Sequence, residues 1–349
     1  MKNIILLKAG AAYKLQLRLL ETYLVGLGFT VVETVSGDVP LSFCVVESEE
    51  EVPQESTFLS LPDGDTRTQF QSILPHLRFD FDSLPLLVEG ESKIIRYLTD
   101  HVVLEKLKPT IYSFTHNRYG IIEGTDVLRA KFSADVLERL NRELYGVGPL
   151  PTAYLGTIES PKDGLLLVQR RAEDCNLEVR VKRYHIGSPL HRYRYAEKHS
   201  SLSGQPVRKW TRFESPVVCF DWRHPLKDEN GVALADEPLP DDYAALWIAD
   251  TQKAKNLAKD TFLWLENTLR QAGILLIDIC FFIDKSGTCI YGEVSPDCMR
   301  ARIGLEGPEE GEALDKDIWR NGKSAEAVRE RYEEFYNRLV SLRSEELVS

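Results

Sequence analysis

Short apolar runs separated by polar turns open the chain. Asn3–Leu7 predicts a strand, and Leu15–Leu27 repeats apolar residues at helical spacing with Gly28 where a C-cap glycine would stand. Phe29–Val35 and Leu41–Val46 read as further strands, and Glu47–Glu51 and Leu61–Thr66 as loops. From Leu84 the texture changes to successive strands at Leu84–Val88, Ile94–Leu98 and Val102–Leu107. Thr125 then caps a predicted helix from Asp126 to Leu144 with Val127, Phe132, Val136 and Leu140 inward. Strands are expected at Gly164–Gln169 and Leu177–Tyr184, and a long helix at Ala244–Ala272 ending at Gly273. Two strands, Ile274–Ile283 and Thr288–Val294, should form a hairpin across Lys285-Ser286-Gly287. A last helix starts at Ser324, with Val328, Tyr332, Phe335, Leu339 and Leu342 in one apolar stripe.

This organisation suggests a small α/β domain over residues 1–83 and a larger one over 84–349. The larger one divides into a strand-rich lobe (84–175) and a second lobe (176–349). With 349 residues and 43% hydrophobic positions the chain can bury a sizeable core. No run approaches the ~18–20 apolar residues of a membrane span, and Ile4–Leu7 is too short for a signal-peptide core. Six scattered cysteines without a C-x-x-C pair point to a reducing, cytoplasmic setting and away from a disulfide framework or zinc site. A net charge of -11 argues against nucleic-acid binding.

Against that acidic background, Arg170–Arg212 is locally basic, which suggests a specific anionic ligand. Within it, Lys182-Arg183-Tyr184-His185-Ile186-Gly187-Ser188 delivers cations into a Gly-Ser turn, an arrangement that suits phosphate and equally a twisted edge strand with solvated charges. A second constellation is Asp278, Glu293, Asp297 and Arg300. A hairpin would set such carboxylates side by side, as a nucleotide-bound Mg²⁺ requires.

Five blocks in order resemble the SAICAR synthetase family. Leu87-Val88-Glu89-Gly90-Glu91-Ser92-Lys93 resembles its Gly-Lys-Ala-Lys strand. Glu178-Val179-Arg180-Val181-Lys182, running on to Gly187-Ser188 and Arg192, is similar to its Glu-x-Val-Val-Arg…Gly-Ser…Lys-Arg block. Ala235-Asp236-Glu237 resembles His-Asp-Glu/Pro. Leu276-Ile277-Asp278 and Gly292-Glu293-Val294-Ser295-Pro296-Asp297-Cys298-Met299-Arg300 resemble Val-Asp-x-Lys and Asp-Glu-x-x-Pro-Asp-x-Ser-Arg. Leu314-Asp315-Lys316-Asp317 resembles Leu-Asp-Lys-Asp/Gln.

The resemblance implies an α+β, two-lobed ATP-binding fold, preceded here by the extra N-terminal α/β domain. It implies an ATP-dependent ligase that joins an amino acid, aspartate in the family, to a carboxylated aminoimidazole ribonucleotide through an acyl phosphate. Such partners are small molecules, with no nucleic acid or membrane, and a homo-oligomer is compatible with them. By motif position, Lys93 and Asp278 would be catalytic, and Gly90, Lys93, Arg170 and Asp278 would bind ATP. Lys182, Ser188, Arg192, Asp236, Asp297, Arg300 and Lys316 would bind substrate, and Asp278 and Glu293 would hold Mg²⁺. The departures are Glu91 for a Lys, Cys280 for the Lys of Asp-x-Lys, Phe282 and Gly292 for acids, Ala235 for His, and Lys182 for Arg. They leave open a related amide synthase of another pathway, or a non-catalytic nucleotide-binding paralogue.

Overall fold

The computed structural model describes residues 4–7, 14–32, 43–45, 65–113, 118–142, 152–223, 229–232 and 237–346. The expected loop at 47–51 and most of that at 61–66 lie outside the described residues. So does Asp236. In chain order the elements are β1 (Ile4–Leu7), α1 (Lys14–Gly26), β2 (Thr30–Val32), β3 (Phe43–Val45), α2 (Thr66–Ile73), β4 (Leu86–Glu89), β5 (Lys93–Tyr97) and β6 (Val102–Leu107). There follow β7 (Thr110–Ser113), β8 (Arg118–Ile121), α3 (Thr125–Arg142), β9 (Tyr154–Ser160), β10 (Gly164–Arg170), β11 (Leu177–Tyr184), α4 (Ser188–Arg192), β12 (Arg212–Trp222) and β13 (Glu237–Leu239). The rest are α5 (Asp241–Ala244), α6 (Thr251–Gln271), β14 (Ile274–Ile283), β15 (Ile290–Tyr291), β16 (Met299–Ile303), α7 (Asp317–Arg320) and α8 (Ala325–Glu346). None of the described helices is long and apolar enough to cross a membrane.

Contacts divide the chain into two units, Met1–Lys108 with Ala153–Arg171, and Pro109–Thr152 with Ala172–Ser349. The first holds a parallel sheet β2-β1-β3 and an antiparallel sheet β4-β5-β6-β10-β9. Helix α1 ends in a Schellman motif: Phe29 N–H donates to Leu24 C=O (3.0 Å), Gly28 N–H to Val25 C=O (2.9 Å), and Gly28 takes φ +79°. The Asp65 carboxylate caps α2 through Thr68 N–H at 2.7 Å, so the chain is already helical at Thr66, where a loop was expected.

The division differs from the expected boundary between 83 and 84. Leu20 and Leu24 of α1 and Phe70 and Ile73 of α2 are buried in one core with Val102, Leu104, Leu155, Leu166 and Val168 of the antiparallel sheet. Apolar stripes on both helices and on the sheet have to be buried somewhere, and here they bury one another. The expected boundary at 175/176 shifts too, because α3 belongs with the second unit.

The second unit is built on a sheet of order β13-β12-β11-β14-β15, with β16 also paired to β14. Helix α6 lies against β11, β12 and β14 and buries Leu257, Phe262, Leu265 and Leu269. The expected single helix from Ala244 is broken because Asp250 caps a new start, accepting Lys253 N–H at 2.9 Å, after Ala249 N–H has bonded to Lys285 C=O. Helices α3 and α8 pack together through Phe132 and Phe335, whose rings stand edge to face at 4.7 Å. The predicted stripe Val328, Tyr332, Phe335, Leu339 and Leu342 is buried throughout.

A chain starting at Leu84 would expose the sheet face that α1 and α2 cover. It should lose cooperative unfolding and bind hydrophobic dyes; a cooperative transition would restore the 83/84 boundary. In the full chain Phe70→Ala should cost about 3–5 kcal/mol in denaturant melts.

Candidate functional site

Strand alternation sorts the second unit's sheet into two faces. On β11 the odd positions Val179 and Val181 are fully buried, and Arg183 ion-pairs with Glu266 of α6, so this face looks at the helix. The even positions Glu178, Arg180 and Lys182 occupy the other face. Register continues that polar face across the sheet: Glu178 lies opposite Asp221 and Phe282, Arg180 opposite Cys219 and Cys280, and Lys182 opposite Asp278. Arg300 of β16 lies opposite Asp278 on its other side.

Asp278 is the centre of this face. One of its oxygens, Oδ2, accepts from Lys182 Nζ and from Arg300 Nη1, each at 2.6 Å. Burial by itself would raise the carboxyl's pKa, but Arg300 and Lys182 hold it well below the usual carboxylate range. Lys182 Nζ also donates to Ile186 C=O at 3.3 Å, and the Arg300 guanidinium packs on Gly187, where a Cβ would meet its nitrogens at 3.1–3.2 Å. Gly187 has φ +75°, so the tight turn and the close cation both favour glycine there. Ser188, which follows it, accepts from Arg180 Nη1 at 3.4 Å. Arg192 and Arg180 approach the buried Asp221 at 3.2 Å and 3.4 Å. Arg300 Nε also lies 3.4 Å from Asp317, and Arg302 bonds Asp315 at 2.7 Å.

The expected hairpin is only partly formed. Its Lys285-Ser286-Gly287 turn is present, with Gly287 N–H on Asp284 C=O, but β15 pairs only Ile290 and Tyr291 with Ile283 and Phe282. An unbroken hairpin would set Ser295 opposite Asp278. Instead the chain leaves the ladder at Gly292 (φ +77°) and returns so that Arg300 takes that place. Glu293 therefore does not stand beside Asp278 in the ladder. Its two oxygens accept from Arg129 of α3, Nε at 2.7 Å and Nη2 at 2.8 Å, and it also receives Ser295 Oγ. Asp297 lies 3.9 Å from Arg129 and 3.2 Å from Lys316, and accepts Tyr332 O–H. Burial raises the Asp297 pKa, but Lys316, Arg129 and the Tyr332 bond prevail and bring it to about 2.

These pairings bear on magnesium. Both acids assigned to it are already neutralised by protein cations, and Phe282 and Gly292 offer no carboxylate. Among the described residues no group of three His, Cys, Asp or Glu side chains is arranged to hold a metal. Asp278 and Glu293 thus stand apart, each held by protein cations.

In the first unit, Lys93 on β5 is buried and bonds Glu105 at 2.7 Å, and Gln169 holds the other oxygen of Glu105 at 2.7 Å. Gly90 N–H bonds Lys93 C=O at 2.9 Å, closing the β4–β5 turn, on which Glu91 is exposed. Arg170 ends β10 with an exposed side chain. Sequence reading missed Arg129 and Asp221 as site residues. Arg129 was detectable as a charge on the apolar stripe of α3, one turn before Phe132 and two before Val136. Asp221 had no such signal, because only the β11–β12 register brings it to Arg180 and Arg192.

A family model described as SAICAR synthetase matches residues 86–339. The chain belongs to the SAICAR synthetase family. This is a family of ATP-dependent ligases. Among similar proteins, the "Bifunctional cordycepin biosynthesis cluster protein 3" of Cordyceps militaris is 28% identical over 68% of this chain, but the chain spans only 31% of its length. The phosphoribosylaminoimidazole-succinocarboxamide synthase of Sulfurisphaera tokodaii is 26% identical over 72% of this chain and 97% of its own. A solved type-2 SAICAR synthetase in complex with ADP aligns with a TM-score of 0.57 at 21% identity, over 73% of this chain and 97% of that one. The Saccharomyces cerevisiae enzyme complexed with SAICAR gives 0.57 at 18%, over 76% and 98%. The α+β SAICAR-synthetase-like fold expected from the sequence is thereby borne out.

Two outcomes follow from the ion pairs. Breaking Arg129–Glu293 with Arg129→Met should cost about 3–5 kcal/mol, and Arg129→Met with Glu293→Leu should recover part of it in a double-mutant cycle of urea midpoints. Asp297, near 3.9 when unfolded and depressed when folded, stabilises the protein above pH 4 and loses that contribution as pH falls toward 2. Lys316→Met should shift acid unfolding to higher pH in a melting series from pH 5 to 2.

Proposed function

We propose that this member of the family is an ATP-dependent carboxylate–amine ligase acting on a phosphorylated acceptor, with carboxylated aminoimidazole ribonucleotide and L-aspartate as the reactants. The observation that carries the reading is the convergence of Lys182 Nζ and Arg300 Nη1 on a single carboxylate oxygen beside the Gly187-Ser188 turn. Two cations that meet on one oxygen of Asp278 can also share one phosphate. Arg192 and Lys316, tethered to Asp221 and Asp297, suit the remaining anionic groups of the acceptor and of the amino acid.

In this reading the acceptor carboxylate attacks the γ-phosphorus of ATP, the P–O bond to ADP breaks, and an acyl phosphate forms. The amine nitrogen then attacks the acyl carbon, loses a proton and expels inorganic phosphate, leaving the amide. Fixed cations lower both barriers by position and by neutralising phosphoryl charge. Lys93, oriented by Glu105, supplies the cation of β5 for ATP phosphate. Asp278 keeps Lys182 and Arg300 in register and is itself the place-holder that the substrate phosphate displaces. No step is assigned to Mg²⁺.

A second reading is a related ligase of another pathway with a different acceptor. It is favoured by the relative named for a cordycepin cluster and by the replacements at Glu91, Cys280, Phe282 and Gly292. The test is an ADP-release screen of carboxylated aminoimidazole ribonucleotide against the common amino acids, with mass detection of the amide. Aspartate-dependent release is expected. Release with another acceptor or amine would favour the second reading, and none at all a non-catalytic paralogue. Arg300→Ala should raise KM for the ribonucleotide about tenfold or more while leaving KM for ATP within about twofold.

A further inference from the structure

Two departures from the family pattern belong together. Where the pattern has Asp-x-Lys, this chain has Asp278-Ile279-Cys280; where it has Glu-x-Val-Val-Arg, this chain has Glu178-Val179-Arg180-Val181-Lys182. A cation is therefore missing at 280, and an additional one stands at 180, a valine position of the pattern. The sheet register joins the two changes, because Arg180 is the residue directly opposite Cys280 in the β11–β14 ladder. Opposed residues of an antiparallel pair stand on one face with Cβ atoms ~4.5–5.5 Å apart. Arg180 and Cys280 thus share one face of the sheet, while the guanidinium itself is held by Glu178, Ser188 and Asp221.

The guanidinium is held in a defined plane. Nη2 bonds Glu178 at 3.1 Å, Nη1 bonds Ser188 Oγ at 3.4 Å, and Nε lies 3.4 Å from Asp221. It shares its strand face with Lys182, two residues on, and so with the Lys182–Asp278–Arg300 cluster. Glu178 and the buried Asp221 both pair with it, Asp221 in common with Arg192. Arginine also brings a planar fork of donors suited to phosphate oxygens.

We propose that Arg180 is a relocated anion-binding residue, supplying from β11 the positive charge that the family pattern carries on β14 at position 280, and directing it to a phosphate oxygen of a bound nucleotide. This rests on the ligase reading only for the identity of the nucleotide. The full chain is titrated calorimetrically with ADP and, separately, with carboxylated aminoimidazole ribonucleotide, which distinguishes the two sources of phosphate. Arg180→Val should weaken at least one ligand about tenfold or more, the scale of a lost charge-assisted hydrogen bond. Adding Cys280→Lys to Arg180→Val, which restores the family arrangement, should return affinity to within about threefold of the parent. Adding the uncharged Cys280→Met should not, and Arg180→Lys should keep more affinity than Arg180→Gln. The proposal is overturned if Arg180→Val binds both ligands like the parent, if the charge swap restores nothing, or if the parent binds neither ligand. Binding that follows the swap while no amide forms with any amine would count against the ligase reading and leave the role of Arg180 standing.

Discussion

A carboxylate buried in the middle of a β-sheet governs the second unit. Taking Asp278 out of water costs several kcal/mol unless cations meet it with good geometry. Lys182 from one neighbouring strand and Arg300 from the other do so at 2.6 Å each. That requirement shapes the backbone. The chain after β15 has to leave the ladder at Gly292, loop out and re-enter as β16 in the register that sets Arg300 opposite Asp278. The Gly187 turn answers to it as well, since a side chain there would push against the Arg300 guanidinium.

The same rule operates where the looped-out segment meets the helices. Glu293 and Asp297, both buried, are met by Arg129 from α3, Lys316 from the approach to α7, and Tyr332 from α8. Ser133 of α3 bonds Val294 through both its N–H (3.2 Å) and its C=O (3.1 Å). Three separate parts of the chain are thus tied to one loop by charge and hydrogen bonds, on top of the Phe132–Phe335 contact. The arrangement changes the chemistry available. Acids that a family pattern would offer to a divalent cation are bound to protein cations instead. The cations of the polar face, Arg180, Lys182, Arg192 and Arg300, are likewise each met by an acid, from Glu178, Asp221, Asp278 and Asp317.

The alternation of β11 shows how economically the site is encoded. Glu178, Arg180 and Lys182 all fall on one face only because side chains in a strand alternate, and the intervening Val179 and Val181 pack under α6. A shift of register by one residue would send the cations into the apolar layer. The buried Val179, Val181, Ile279 and Phe281 thereby fix which side of the sheet carries function.

The sequence by itself determined the strands β6, β11 and β14 to the residue, the helices α1, α3 and α8 within a few residues, and the ordered blocks that mark the family. Periodicity and glycine chemistry are local properties, and local properties can be read along a chain. Lys182, Asp278 and Arg300 were each recognisable as site candidates because they lie within such blocks, but Lys182 and Asp278 were read as parts of separate constellations. Tertiary structure decided the rest. Residues 1–83 read as a separate domain, yet α1 and α2 complete the core of the antiparallel sheet, which no stripe on either helix could announce. Thr288–Val294 read as the second arm of a hairpin, yet the need to neutralise Asp278 brought Arg300 there and sent Glu293 to Arg129. A buried charge must find its partner wherever the fold supplies one, and that partner, 164 positions away for Glu293, has no mark in local sequence.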